Sequence, residues 1–158
     1  MLEIYVDGDA CPVKAEVEQV AGRHQLTVVI VSNGGLRPSR NPLVRHVTVD
    51  AGPDVADDWI VEHAGEGDIV VTADIPLASR ALAKGARVLG PNGKPFTPDG
   101  IGVALGMRDL HRHLRELTPG GQTHHAGFSK QDRSRFLGAL ENEIQSVRRA
   151  FAGRPPAA

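Results

Sequence analysis

Asp7 and Asp9 stand two residues apart in Tyr5-Val6-Asp7-Gly8-Asp9-Ala10, directly after an apolar run. Asp74 closes a second such run in Val70-Val71-Thr72-Ala73-Asp74. A third acidic group, Asp54, Asp57 and Asp58, lies just beyond Asp50. Carboxylates held close together repel one another unless protons or a cation join them. With oxygen donors only, and neither a cysteine cluster nor an obvious histidine partner, the cation that suits them is hard: Mg²⁺ or Mn²⁺. Such an ion carries water that can attack a phosphorus centre, and it stabilises the charge that develops there. The blander account differs from residue to residue. Asp54, Asp57 and Asp58, taken alone, are explained by a helix N-terminus that they complement, an effect of roughly 0.3–1 kcal/mol each. Asp50 and Asp68 read as turn caps. Asp7 and Asp9 resist such an account, because an acid that ends a buried strand costs free energy without a partner.

Positioning these groups is the task of the surrounding elements. Five short apolar, β-branched runs stand out: Leu2–Val6, Leu26–Val31, Val44–Val49, Asp68–Thr72 and Ala86–Leu89. Helix-length segments separate most of them, which predicts an α/β fold: a three-layer α/β/α sandwich around a mainly parallel five-stranded sheet. In such sheets ligands bind beyond the carboxyl ends of the strands, where the strand order reverses. An order of 3-2-1-4-5 puts that reversal between strands one and four, and so brings Asp7, Asp9 and Asp74 together. Helices are expected from Pro12 to Arg23, from near Pro53 to His63 or Ala64, and from Pro76 to Lys84 with Gly85 as C-cap. Thr97-Pro98 opens a further helix whose stripe of Val103, Met107, Leu110, Leu114 and Leu117 must pack on something. Ser129-Lys130-Gln131-Asp132 has the pattern of a capping box before a last helix carrying Phe136, Leu140, Ile144, Val147 and Phe151. Residues 1–152 are expected to form one domain, with 153–158 as a flexible tail.

The chain has 158 residues, 18 Lys+Arg and 19 Asp+Glu, so its near-neutral total seems at first to exclude a nucleic-acid partner. The total is a cancellation. Residues 1–79 hold 13 acidic and 5 basic side chains, whereas residues 80–158 hold 13 basic and 6 acidic ones. A cation on the acidic cluster would leave the basic half to act on a polyanion. Arg108, Arg112 and Arg115 share one helix face, turned away from the Val103–Leu117 stripe. Arg37 and Arg40 follow the second strand, and Arg133 and Arg135 lie early in the last helix. Such arginines grip phosphates without reading sequence. With one Trp, one Tyr and four Phe, aromatic stacking on bases has little to draw on. Arg148 and Arg149 read as a solvated helix face, and His111, His113, His124 and His125 as surface histidines. Cys11 is the only cysteine, which excludes an intramolecular disulfide, and it is expected to be a small buried hydrophobe. No apolar stretch is long enough to span a bilayer, and no leader pattern opens the sequence, so a cytoplasmic location is expected.

Several motifs together resemble the bacterial YaiI/YqxD family, which is placed in the PIN-like nuclease superfamily. They are Val6-Asp7-Gly8-Asp9-Ala10-Cys11-Pro12, the Ser39-Arg40 loop, Gly52-Pro53-Asp54-Val55-Ala56-Asp57-Asp58-Trp59-Ile60, Gly67 to Ala78 with its Thr72-Ala73-Asp74-Ile75-Pro76-Leu77-Ala78 core, Met107-Arg108-Asp109 and Asp132-Arg133. The resemblance covers nearly the whole chain and implies a PIN-like sandwich with metal-dependent cleavage of RNA or DNA. Carried over position by position, it implies the acidic set Asp7, Asp9, Asp54, Asp57 and Asp74, with Asp58 ranked lower. One stretch departs from the family: Gly120-Gly121 leads into Gln122-Thr123-His124-His125-Ala126-Gly127-Phe128, where Gly-Gly-Pro is usual.

The expected function is therefore a Mg²⁺- or Mn²⁺-dependent phosphodiesterase acting on nucleic acid, RNA ahead of DNA. Asp7, Asp9, Asp57 and Asp74 are the catalytic candidates. Asp7, Asp9, Asp54, Asp57 and Asp74 are the metal candidates, and Arg37, Arg40, Arg108, Arg112, Arg115 and Arg133 the phosphate-binding ones. Two alternatives stand beside it. One is a phosphatase of the haloacid dehalogenase type, with Asp7 as nucleophile and Asp9 as general acid. In favour are Asp7-Gly8-Asp9 and Ser32-Asn33; against it, Cys11-Pro12 replaces the usual Thr region, and the only nearby lysine, Lys84, follows Asp74 rather than preceding it. The other is a non-catalytic module that binds a cation and RNA.

Overall fold

The computed structural model describes residues 2–8, 11–34, 39–52, 54–117 and 129–151, with residues 111–117 described by their backbone alone. Eleven elements follow one another along these residues: β1 (Glu3–Asp7), α1 (Lys14–Arg23), β2 (Thr27–Ser32), β3 (Val44–Thr48), α2 (Val55–His63), β4 (Ile69–Val71), α3 (Ile75–Ala83), β5 (Arg87–Leu89), β6 (Pro95–Phe96), α4 (Ile101–Leu117) and α5 (Lys130–Phe151). They form an α/β fold around one mixed sheet of order β3-β2-β1-β4-β5-β6. All neighbours are parallel except β5 and β6. The expected 3-2-1-4-5 order is present.

The apolar runs are continuous because both faces of the sheet are covered. Ile4 and Val6 of β1, Val28 and Ile30 of β2, and Ile69 and Val71 of β4 point to one face. There they meet Val13, Val17, Val20 and Ala21 at α1, and Phe136, Leu140, Ile144 and Val147 of α5. The intervening Tyr5, Val29, Val31 and Val70 point to the other face, against Ile60 of α2 and Leu77, Ala78 and Ala81 of α3. Strand alternation thus sorts one apolar run into two cores, one on each side.

Three differences from the expectation have local causes. The sheet has a sixth strand, β6, of only two residues, one of them Pro95. Its approach to β5 is set by the turn over residues 90–94, where the Gly90 N–H donates to the Lys94 carbonyl at 2.9 Å. The helix expected at Thr97-Pro98 begins at Ile101 instead, because the Thr97 hydroxyl first accepts the Gly100 N–H at 3.0 Å and holds a turn. The described part of the expected stripe is not covered by the described residues: Val103, Met107 and Leu110 are 71%, 45% and 48% exposed. The capping box at α5 forms as expected, with the Ser129 N–H donating to Asp132 Oδ2 and the Asp132 N–H donating to Ser129 Oγ, both at 3.1 Å.

Candidate functional site

Asp7 is the last residue of β1 and is almost fully buried, at 6% exposed. The Gly8 N–H carries the ladder one step further, to the Val31 carbonyl at 2.8 Å. Because β4 lies beside β1, Thr72, which follows β4, reaches Asp7: its hydroxyl donates to Asp7 Oδ2 at 3.1 Å. The same hydroxyl oxygen accepts the Asp74 N–H at 2.9 Å. Asp74 then caps α3, its Oδ1 accepting the Leu77 N–H at 3.0 Å. One buried hydroxyl therefore ties the two strand-end acids to each other.

The third contribution comes from α2. Asp54 precedes that helix in a left-handed conformation, φ 66°, and its side chain makes no capping hydrogen bond. A non-glycine residue in this region costs on the order of 1 kcal/mol or more, and here the usual repayment through a cap is missing. Asp57 lies in the first turn and is half-buried. Its carboxyl is pushed up from the ordinary 3.8 to about 6, first by burial and then by the charges of Asp74, Asp7 and Asp54, with Arg80 opposing. Asp7, Asp54, Asp57 and Asp74 therefore converge at the carboxyl ends of β1 and β4, where the strand order reverses. Asp58 pairs with Arg80 at 2.8 Å, both side chains about half-exposed.

Asp9 lies outside the described residues, as do Arg37 and the 120–128 segment. Among the described residues, no three His, Cys, Asp or Glu stand close enough together to hold an ion as they lie. The donor chemistry nevertheless suits a hard cation, since every convergent group is an oxygen and one of them is driven towards protonation by the others. Two neighbours escape a reading of the sequence. Thr72 is signalled only by its place in Thr72-Ala73-Asp74. Lys14 belongs to an ordinary helix start, yet its Nζ donates to the Gly8 carbonyl at 2.8 Å and the Cys11 carbonyl at 3.1 Å, and so braces the segment between Asp7 and α1. Cys11 itself is buried in the core, and burial pushes its thiol up to about 11.

The basic candidates divide. Arg40 is exposed in the loop before β3. Arg108 is partly exposed and 3.6 Å from Asp109. Arg133 is bound to Glu16 of α1 at 2.7 Å, and Arg135 lies 3.5 Å from Asp132. Arg112 and Arg115 lie on α4, where the side chains are outside the description. Arg148 departs from the expected solvated face: it donates to His24 Nδ1 at 2.9 Å, while His24 Nε2 meets Glu141 at 2.6 Å. Among the described residues no helix is long and apolar enough to cross a membrane.

Residues 5–146 match the family described as "Uncharacterized BCR, YaiI/YqxD family". The chain belongs to this family. A UPF0178 protein of Parvibaculum lavamentivorans is 63% identical over 158 residues, covering 99% of both chains. UPF0178 proteins of Mesorhizobium japonicum and Ruegeria pomeroyi are 61% and 58% identical, covering 97% of this chain and 96% and 100% of their own. No solved structure matches. The site described above thus sits in a bacterial family whose members' names state no activity.

Proposed function

We propose that the protein is a divalent-metal-dependent phosphodiesterase of PIN-like type that cleaves nucleic acid, RNA ahead of DNA. The convergence of Asp7, Asp54, Asp57 and Asp74 carries this reading, since three of these charges act on the fourth. Asp7 and Asp74 would be the central ligands of Mg²⁺ or Mn²⁺, with Asp9, Asp54 and Asp57 completing the set or orienting water. The bound ion would supply an activated water and a counter-charge at the phosphorus centre.

The chain's own residues account for the rest. The Thr72 hydroxyl fixes Asp7 Oδ2 and the Asp74 backbone in one frame. The Asp57 carboxyl, raised to about 6 in the metal-free chain, would accept a proton from an attacking water. Arg40 and Arg108 offer guanidinium groups to phosphates, and Arg37, Arg112 and Arg115 extend that set. Purified protein with Mn²⁺ is expected to cleave RNA, and Asp7→Asn and Asp74→Asn to lose at least about 100-fold of that rate. Inertness on varied RNA and DNA, or an Asp7→Asn variant as active as wild type, refutes the proposal.

One observation favours the phosphatase alternative. Lys14, a lysine that precedes Asp74 in the chain, holds the Gly8 and Cys11 carbonyls in the segment that follows Asp7. A phospho-aspartate trapped on Asp7 would establish that reading instead.

A further inference from the structure

Away from the acidic cluster, α4 presents a surface that the cleavage reading does not use. Val103, Met107 and Leu110 are 71%, 45% and 48% exposed, and Phe151 is the other large hydrophobic exposed among the described residues. Steps of four and three residues join them, and Leu114 and Leu117 continue those steps along the same helix. Alternating steps of this kind keep apolar positions on one seam facing a partner helix. The opposite side of α4 belongs to its own chain: Ile101 packs on the core beside α3. The seam is therefore a second apolar face, and a contiguous one.

Its borders indicate what covers it. By helical position, Gly102, Gly106 and His113 flank the seam on one side and Ala104 and His111 on the other. Asp109 and the arginines of α4 lie further round the helix. No Asp, Glu, Lys or Arg therefore borders the apolar row. A Cβ added at Gly102 or Gly106 would meet nothing within 4 Å, so both glycine positions are open. Small residues beside an apolar row let two helix backbones approach closely.

We propose that the α4 seam is a homodimer interface, packed against the same seam of a second copy of this chain. In a two-fold pair a patch must be compatible with itself, so a charged border would set like charges against each other. An uncharged border removes that repulsion and leaves a charged partner nothing to recognise. α4 has 17 residues, and two helices of about 25 Å laid along each other bury on the order of 1,000 Å², the size at which specific association begins.

Sedimentation equilibrium of the full chain tests this. At about 100 μM, a micromolar interface gives a mass twice the 16.8 kDa of one chain. Met107→Glu and Leu110→Glu are each expected to weaken self-association at least ten-fold, read as a lower average mass than wild type across a dilution series from about 100 μM down to about 1 μM. Both positions are exposed, so the far-UV circular dichroism of both variants should match wild type. Arg149→Glu, whose side chain bonds Ser146 on α5, should leave the dimer intact. A wild-type chain that is monomeric at this concentration, or a dimer that survives both substitutions with unchanged strength, overturns the proposal.

Discussion

Replacing Asp57 by asparagine should stabilise the metal-free protein, and only above a definable pH. The Asp57 carboxyl titrates at about 6 in the folded chain against an ordinary 3.8, because burial and the charges of Asp74, Asp7 and Asp54 disfavour its ionised form. Between these two values the folded state binds a proton that the unfolded state has released. Stability therefore falls as pH rises from about 4 to about 6 and is flat above. About two pKa units correspond to a ceiling of ~3 kcal/mol at 1.36 kcal/mol per unit. Asp57 is only half-buried, so solvent screening reduces the effect to about 1 kcal/mol. Asn carries no charge at any pH. The Asp57→Asn variant should thus gain about 1 kcal/mol at pH 7, a rise in Tm of about 3 °C for a chain of this size, and nothing at pH 3.5.

A divalent cation should reverse the order. An ion bound by the cluster stabilises the folded state in proportion to its occupancy, and the wild type offers it one more carboxylate than the variant does. Thermal unfolding in a chelator and in about 10 mM Mn²⁺, at pH 3.5, 5 and 7, measures both effects. The wild type should gain more from Mn²⁺ than the variant at pH 7. Equal effects of Asp57→Asn at pH 3.5 and 7, or a variant less stable than wild type in chelator at pH 7, would refute the electrostatic account of the cluster.

Two further perturbations probe the frame around the site. Thr72→Val keeps the shape of a fully buried side chain but deprives Asp7 of a donor and the Asp74 N–H of an acceptor. It should cost about 1.5–3 kcal/mol in urea unfolding, with Thr72→Ser recovering most of the loss. Gly93→Ala places a Cβ 2.8 Å from the backbone and side chain of Arg135 at φ +83°, so the β5–β6 turn can no longer lie on α5. A fall in stability of about 2–4 kcal/mol with an unchanged denaturant slope is expected.

The parallel sheet is legible in the sequence because its central strands β1, β2 and β4 are buried on both sides and therefore read as nearly unbroken apolar runs. β6 is not legible, since two residues carry no periodicity and its position depends on Gly93 fitting against α5. Asp7 and Asp74 are legible for a topological reason: once β1 and β4 are neighbours, acids at their ends must meet. The part of Thr72 follows from the same adjacency, but only when the β1–β4 register is known, because Val6 pairs with Val71 and so brings the next residue of β4's chain to the end of β1. Lys14 illustrates the opposite case. A lysine in the first turn of a helix is unremarkable by type and spacing, and its hold on the Gly8 and Cys11 carbonyls arises from the path of the chain between them. The α4 stripe shows a limit of periodicity itself: the spacing identifies a face that seeks cover, yet says nothing of whether the cover lies in the same chain.

What each guanidinium already binds decides which arginines are available to phosphates. Arg108 and Asp109 are exposed side chains 3.6 Å apart, and pairs of this kind contribute about 0–1 kcal/mol, so a phosphate can displace the carboxylate with little loss. Arg133 is held differently. Its partner Glu16 has a side chain only 13% exposed, and withdrawing the guanidinium would leave that carboxylate largely out of solvent beside no other cation that bonds it among the described residues. Breaking one side of such a pair costs far more than the pair contributes. Although Arg133 has the residue type and the position expected of a phosphate contact, its energetics make it a clamp between α1 and α5. Arg40 forms no ion pair among the described residues and stands exposed in the loop before β3. The anion-binding part of the site is thus better sought on Arg40 and the α4 arginines than at the start of α5.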